Sequence, residues 1–132
     1  MSELFSEDWG KAYMEAWNND GEITSTLRQA DFCSVVAFGF QEEEDPRFVM
    51  RIENGLIQSL DKQPVDSIKW DIRASKENWL SLIAKPPGLM KLGMAYTSRK
   101  MRFNKGDYAT MIKDPNLAGA FVKSFGLMSK VS

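Results

Sequence analysis

The sequence predicts one α+β domain, and three features of its 132 residues carry that reading. The chain opens with large aromatics at helical spacing: Trp9, Tyr13 and Trp17. A block from Cys33 to Arg73 is rich in β-branched and aromatic residues and alternates with period two around an Asn54-Gly55 pair. From Ser75 onward helical spacing returns, interrupted by one short alternating stretch, Lys100 to Lys105. A chain of this length suits a single core. Residues 1–132 are therefore read as one domain, with no internal repeat, linker or low-complexity tract.

Each element has a local reason. Ser6 is placed to cap the first helix, Glu7 and Asp8 occupy its first turn, and Asn18-Asn19-Asp20-Gly21 ends it. A second short helix, about Glu22 to Ala30, carries Ile23 and Leu27 four residues apart. Cys33 to Phe40 is the first strand, stopped by the acidic run from Gln41 to Pro46. Phe48 to Glu53 puts Phe48, Met50 and Ile52 on one face and Val49, Arg51 and Glu53 on the other. Asn54-Gly55 then returns the chain through Leu56 to Leu60 as an antiparallel third strand. After a Gln63-Pro64-Val65-Asp66 turn, Ser67 to Arg73 directs Ile68, Trp70 and Ile72 inward and Lys69, Asp71 and Arg73 outward. Ser75 caps a helix bearing Trp79, Leu80, Leu82 and Ile83, which Pro86-Pro87-Gly88 breaks. Leu89 to Tyr96 reads as a short, Met-rich helix, and Lys100 to Lys105 as the fifth strand. Gly106-Asp107 turns into a helix through Tyr108, Met111 and Ile112. Pro115 opens a terminal helix with Ala118, Phe121, Val122 and Phe125 on one stripe.

Composition removes whole classes of chemistry. The chain has no histidine, which excludes His-based triads, His metal sites and imidazole acid–base catalysis within it. Its one cysteine, Cys33, forms no internal disulfide and is expected to pack as a small hydrophobe. No Gly-rich phosphate motif is present, and neither a cofactor nor a metal is expected. Seventeen basic residues against eighteen acidic ones give a net charge of −1, so a weak field of mixed sign is expected, which argues against a nucleic-acid partner. The opening MSELFSEDWGKAY is unlike a signal or transit peptide, and no apolar run approaches the ~20 residues that span a bilayer, so a cytoplasmic address is expected. Eight Met and eight Phe stand out. Flexible, polarizable methionine suits a pocket that closes around irregular apolar ligands.

Two motifs then resemble a known family. The run Asp71-Ile72-Arg73-Ala74-Ser75-Lys76-Glu77-Asn78-Trp79-Leu80-Ser81-Leu82 is similar to the strand, helix cap and tryptophan of the sterol-carrier protein domain. About twenty residues on, Ala95 to Asp107 (AYTSRKMRFNKGD) resembles that family's small helix, Gly-Lys strand and Gly-Asp turn. Two positions depart from the pattern: Arg99 stands where the family has glycine, and the strand from Lys100 to Gly106 is one residue longer. The resemblance implies a five-stranded mixed, largely antiparallel sheet covered by helices and enclosing an apolar tunnel. It further implies non-catalytic binding, and intracellular transfer or presentation, of a fatty acid, acyl-CoA, phospholipid or sterol.

Met90, Met94, Met101, Phe103, Met111, Phe121, Phe125 and Met128 are the candidate lipid-binding residues; the same stripe also reads as ordinary core. Trp79 reads as a packing anchor under the sheet. Tyr13, Trp17 and Asn18 read either as a polar rim at the tunnel mouth or as an aromatic face laid on the sheet. Lys100, Arg102 and Lys105 could meet an anionic head group or form a solvated strand face. Asp71 invites comparison with carboxylate bases in apolar cavities, but between Lys69 and Arg73 it reads as surface charge. Two rival functions follow: a small isomerase or hydratase with a carboxylate base, and an interaction domain whose apolar groove takes a partner helix. The expected partner is an apolar small molecule, with room for transient membrane contact and for a homodimer. The terminal helix, loosened by Gly119 and Gly126, is expected to act as a movable lid.

Overall fold

The computed structural model describes residues 3–60 and 67–131. Its elements run α1 (Glu7–Asn18), α2 (Gly21–Gln29), β1 (Ser34–Phe40), β2 (Phe48–Glu53), β3 (Leu56–Ser59), β4 (Trp70–Ala74), α3 (Lys76–Ala84), α4 (Leu89–Thr97), β5 (Arg102–Lys105), α5 (Tyr108–Lys113) and α6 (Pro115–Val131). The turn expected at Gln63 to Asp66 lies outside the described residues. The five strands form one sheet in the order β3-β2-β1-β4-β5. Only β1 and β4 run parallel; the other three pairings are antiparallel. The expected mixed, largely antiparallel α+β sheet is the observed one.

Local chemistry sets most boundaries. The Ser6 hydroxyl accepts from the Trp9 N–H at the start of α1, and Ser75 accepts from Asn78 N–H at the start of α3. Asp20 caps α2 by accepting from the amides of Glu22 and Ile23. Asn54 and Gly55 both have positive φ (51° and 83°), as a type I′ hairpin turn requires. α1 is fastened to that hairpin. Trp17 Nε1–H donates to the Gly55 carbonyl at 2.8 Å, and the Asn18 side-chain amide both donates to and accepts from the backbone of Ile57, extending the edge strand β3 by one paired group.

The two departures from the family pattern both have a structural form. α4 ends in a Schellman motif, with Lys100 N–H donating to Ala95 O and Arg99 N–H to Tyr96 O. Arg99 occupies the left-handed position of that motif at φ 63°, where glycine carries no steric penalty and another residue loses about 1 kcal/mol. The extra strand residue is absorbed as a bulge: Ile72 pairs with Phe103 and Asp71 with Lys105, so Asn104 has no opposite number on β4.

The helices pack on one sheet face over a core rich in aromatics. Trp79 is fully buried, as a packing anchor should be, and its Nε1–H donates to the Gly39 carbonyl at 2.8 Å. Phe38 stacks on Phe48 and meets Trp79 edge-on, while Phe125 of α6 stacks on Trp79 at 6.1 Å. Tyr13 is buried in α1 between Trp9 and Trp17, and its hydroxyl donates to Ser124 O of α6. Burial pushes its phenol far above the ordinary tyrosine range.

A pH dependence follows. The unfolded chain ionises this tyrosine near pH 10 (approximately), whereas the folded chain keeps it neutral, so the unfolded state releases its proton first as pH rises. The stability this group contributes is complete below about pH 10 and is lost above it. Tyr13→Phe should remove that part of the alkaline loss, up to about 1.4 kcal/mol per pH unit, and change stability near neutrality by less than about 1.5 kcal/mol. Urea midpoints measured from neutral to strongly alkaline buffer check both halves.

The far sheet face differs from expectation. Asp71 and Arg73 of β4 are 6% and 1% exposed rather than outward and solvated. The reason is tertiary: the β1–β2 connection folds over them. Arg73 Nε–H and one Nη2–H donate to the two Asp71 carboxylate oxygens at 2.6 and 3.0 Å. The remaining guanidinium hydrogens donate to the carbonyls of Phe40, Glu43 and Glu44, so all five donors are used. Beside this pair, Val35, Ala37 and Ile68, with Val49 against them, make a small second apolar cluster. Cys33 also departs from expectation. It is exposed just before β1, with its Sγ 4.0 Å from Asn54 Oδ1, because the stretch of β1 that is buried on both faces, Val35 to Phe40, begins only after it.

Candidate functional site

An apolar pocket lies between the helix-covered sheet face and two pairs of helices. β1, β2 and β4 supply its floor through Val36, Phe38, Met50, Ile52, Trp70 and Ile72, the alternate residues that the strand pleat directs to that face. α1 contributes Trp17 and α2 contributes Leu27, with Phe32 beside it. The opposite wall is Met111 of α5 and Leu117, Ala120, Phe121 and Ser124 of α6. The cavity is partly open and has a volume of about 50 Å³.

Leu27 and Phe32 are set in place by one capping motif. α2 ends with Asp31 in the left-handed region at φ 51°, Phe32 N–H donating to Leu27 O, and Asp31 N–H to Arg28 O. This Schellman geometry brings its two flanking apolar residues together, and here that pair becomes pocket wall. The one hydroxylic residue of the lining, Ser124, is committed elsewhere: its Oγ–H donates to Phe121 O at 2.6 Å and its carbonyl accepts from Tyr13. The lining therefore offers hydrocarbon, aromatic and thioether surface and no spare polar group to orient a ligand.

Of the eight candidate residues, the structure brings Met111 and Phe121 to this pocket. Met101, Phe125 and Met128 are wholly buried in the core. Phe103 stands behind the wall, edge-on to Trp70 at 6.2 Å and to Phe121 at 6.0 Å. Met90 and Met94 lie outside this pocket: they face solvent on the outer side of α4 while Leu92 and Ala95 of the same helix face inward. The wall residues that sequence reasoning missed come mostly from the first half: Trp17, Leu27, Phe32 and the floor of β1, β2 and β4. Their signal is the alternation of Phe48, Met50 and Ile52 and of Trp70 and Ile72, which marks an inward sheet face without saying which of its residues border a cavity.

The polar candidates do not gather at the pocket. Trp17 lines it, but Asn18 is spent on Ile57 and Tyr13 on Ser124. Arg102 donates to the Gln41 carbonyl at 3.3 Å, and Lys105 pairs opposite Asp71, which places it on the far sheet face. Asp71 is likewise on that face and held by Arg73, so the carboxylate-base reading is not favoured.

The geometry defines a class of protein: a single mixed sheet with helices on one face closing over an apolar pocket. The fold is that of the sterol-carrier proteins. Across 98% of this chain and 100% of the other, it is similar to the crystal structure of sterol carrier protein 2, with a TM-score of 0.75 and 16% identity. It is also similar to the solution structure of a conserved hypothetical protein from Thermus thermophilus, described as possibly a sterol carrier protein. That match has a TM-score of 0.66 and 18% identity, over 98% of this chain and 90% of that one. A third likeness is to a protein titled UbiJ-SCP2 ubiquinone synthesis protein, with a TM-score of 0.62 and 9% identity over 96% and 93% of the two chains. No protein-family model and no curated protein matches the sequence. At these identities the likeness is one of fold.

Proposed function

We propose that the protein binds a lipid-like apolar ligand in this pocket and transfers or presents it without covalent chemistry. The observation that carries the reading is the lining itself, apolar on every side with its one hydroxyl already bonded. Affinity in such a site comes from removing methylenes from water, at about 0.8 kcal/mol each. A fatty acid, acyl-CoA, phospholipid or sterol would each serve, and chain length would outweigh head group. The names carried by the similar structures support the same class of ligand. The single, unpaired Cys33 suits a reducing compartment, and the cytoplasm is the proposed address.

A volume of about 50 Å³ is well below the ~300 Å³ at the small end of ligand pockets, so a long chain enters only as part of the wall yields. α5 is the element suited to yield. It has six residues, of which Tyr108 and Met111 are buried, and it hangs between the Gly106-Asp107 turn and Asp114. Short segments with few buried contacts open at low free energy.

Native mass spectrometry of the expressed protein should show a co-purified lipid, and a fluorescent fatty acid should bind about fourfold tighter per added methylene until the chain outgrows the site. Ala120→Leu adds side-chain carbon to the free volume. It should weaken that binding at least tenfold (order of magnitude) while leaving the unliganded melting temperature equal or higher. Absence of any lipid together with no saturable fatty-acid binding would reject the reading. Saturable turnover of an ester or ketosteroid, abolished by one carboxylate substitution, would replace it with an enzyme.

A further inference from the structure

Between Glu77 and Asp107 the chain carries six cations, Lys85, Lys91, Arg99, Lys100, Arg102 and Lys105, and no acid. The other eleven basic residues stand among all eighteen acids. The near-zero net charge thus conceals a segregated one, and the weak mixed field expected from composition does not hold for this segment. α4 lies at its centre. Leu92 and Ala95 turn inward, while Met90, Met94 and Thr97, spaced i, i+4 and i+7, form its outward stripe. Met90 is 82% exposed, Met94 63% and Leu89 47%. Apolar exposure concentrated in this way on one helix marks a surface that meets something.

The cations frame that stripe. Lys85 precedes the helix, Lys91 sits on its flank, and Arg99 and Lys100 follow its last turn; all four are exposed. Among the described residues, no ion pair or hydrogen bond engages these four side chains. An apolar centre with a cationic rim complements the hydrocarbon boundary and phosphates of an anionic leaflet, whereas a bare polyanion would gain nothing from the methionines.

We propose that α4 docks the protein peripherally on an anionic lipid bilayer, with Leu89, Met90 and Met94 entering the boundary between head groups and acyl chains while Lys85, Lys91, Arg99 and Lys100 meet lipid phosphates. Among the described residues, no helix is long and apolar enough to cross a membrane, so the contact is interfacial. The docking face is also close to the pocket. Tyr96 of α4 stacks on Tyr108 at 4.5 Å and meets Phe103 at 5.9 Å, and Phe103 touches the pocket residues Trp70 and Phe121. α4 therefore touches α5 directly through the Tyr96–Tyr108 stack, and one aromatic residue, Phe103, lies between Tyr96 and the cavity-wall residues. Docking does not depend on the pocket being filled, because it is measured without added ligand.

The test is co-sedimentation with phosphatidylcholine vesicles, with and without about 30 mol % phosphatidylglycerol. The wild-type protein should partition onto the anionic vesicles at low salt, remain free with phosphatidylcholine alone, and release at about 0.5 M salt. Met90→Asp/Met94→Asp should lower partitioning at least tenfold (order of magnitude). Lys91→Glu/Lys100→Glu should lower it by about fivefold or more per charge. All four positions are exposed, so melting temperatures within error of wild type certify the fold. No partitioning of the wild type, or partitioning indifferent to the methionine pair, would overturn the proposal. So would a dimer in sedimentation velocity that the methionine substitutions dissolve, since the face would then belong to a second copy of the chain.

Discussion

A chain cut after Asp114 is expected to lose its cooperative fold, not merely its ligand affinity. α6 is the helix around which the others are arranged: it packs against α1, α2, α3, α4 and α5. Phe125 and Met128 are both 0% exposed, and Phe125 is the stacking partner of Trp79 at the centre of the core. Lys123 ties the same helix to α2, with Nζ 3.5 Å from Asp20 and 3.1 Å from Glu22. A buried Phe→Ala substitution alone costs about 3–5 kcal/mol, against a total stability of about 5–15 kcal/mol for a domain. Deleting Phe121, Phe125, Leu127 and Met128 together exceeds that margin. Gly119 and Gly126 weaken the helix's own propensity, but both face open space, so neither takes a contact away from the core. The movable-lid expectation is thereby revised, with α5 and the pocket-lining first half of α6 as the region left free to adjust. Near-ultraviolet circular dichroism and thermal melting of the truncated chain provide the check. A native spectrum with a cooperative melt would restore the lid.

The second large effect belongs to Arg73. Arg73→Met should destabilise the domain by about 3–5 kcal/mol, because it leaves the Asp71 carboxylate buried without its partner. It also strips the carbonyls of Phe40, Glu43 and Glu44 of a shared donor, which frees the connection between β1 and β2. Arg73→Lys should fall between wild type and Arg73→Met, since an ammonium cannot reproduce a planar five-donor fork. The double variant Asp71→Leu/Arg73→Met should recover a large part of the loss, as apolar replacements of buried pairs commonly do. Urea midpoints of the four proteins measure the series. A loss below about 1 kcal/mol for Arg73→Met would show that the pair is in effect solvated.

Legibility in the sequence followed the range of the forces involved. Ser6 and Ser75 at helix starts, the Asn54-Gly55 hairpin, the alternation of Phe48 to Glu53 and Pro115 in a first helical turn are contacts within a few residues. Each appears in the structure where local chemistry places it. The strand count and the α+β class follow from those signals. The resemblance over Asp71 to Leu82 and Ala95 to Asp107 identified the same fold that the structural likenesses show.

The pocket and the ion pair were decided at longer range. Period two states that Asp71 and Arg73 share a face, but that face is buried because carbonyls about thirty residues earlier fold over it. Period 3.6 states that α4 has two faces, but Leu92 and Ala95 rather than Met90 and Met94 turn inward because α6 lies on that side. Amino-acid order by itself determined the elements, their caps and turns, and the class of fold. Only tertiary packing decided which apolar faces close on one another, which stay open as a cavity, and which remain on the surface, because periodicity records that a face is apolar without recording its partner.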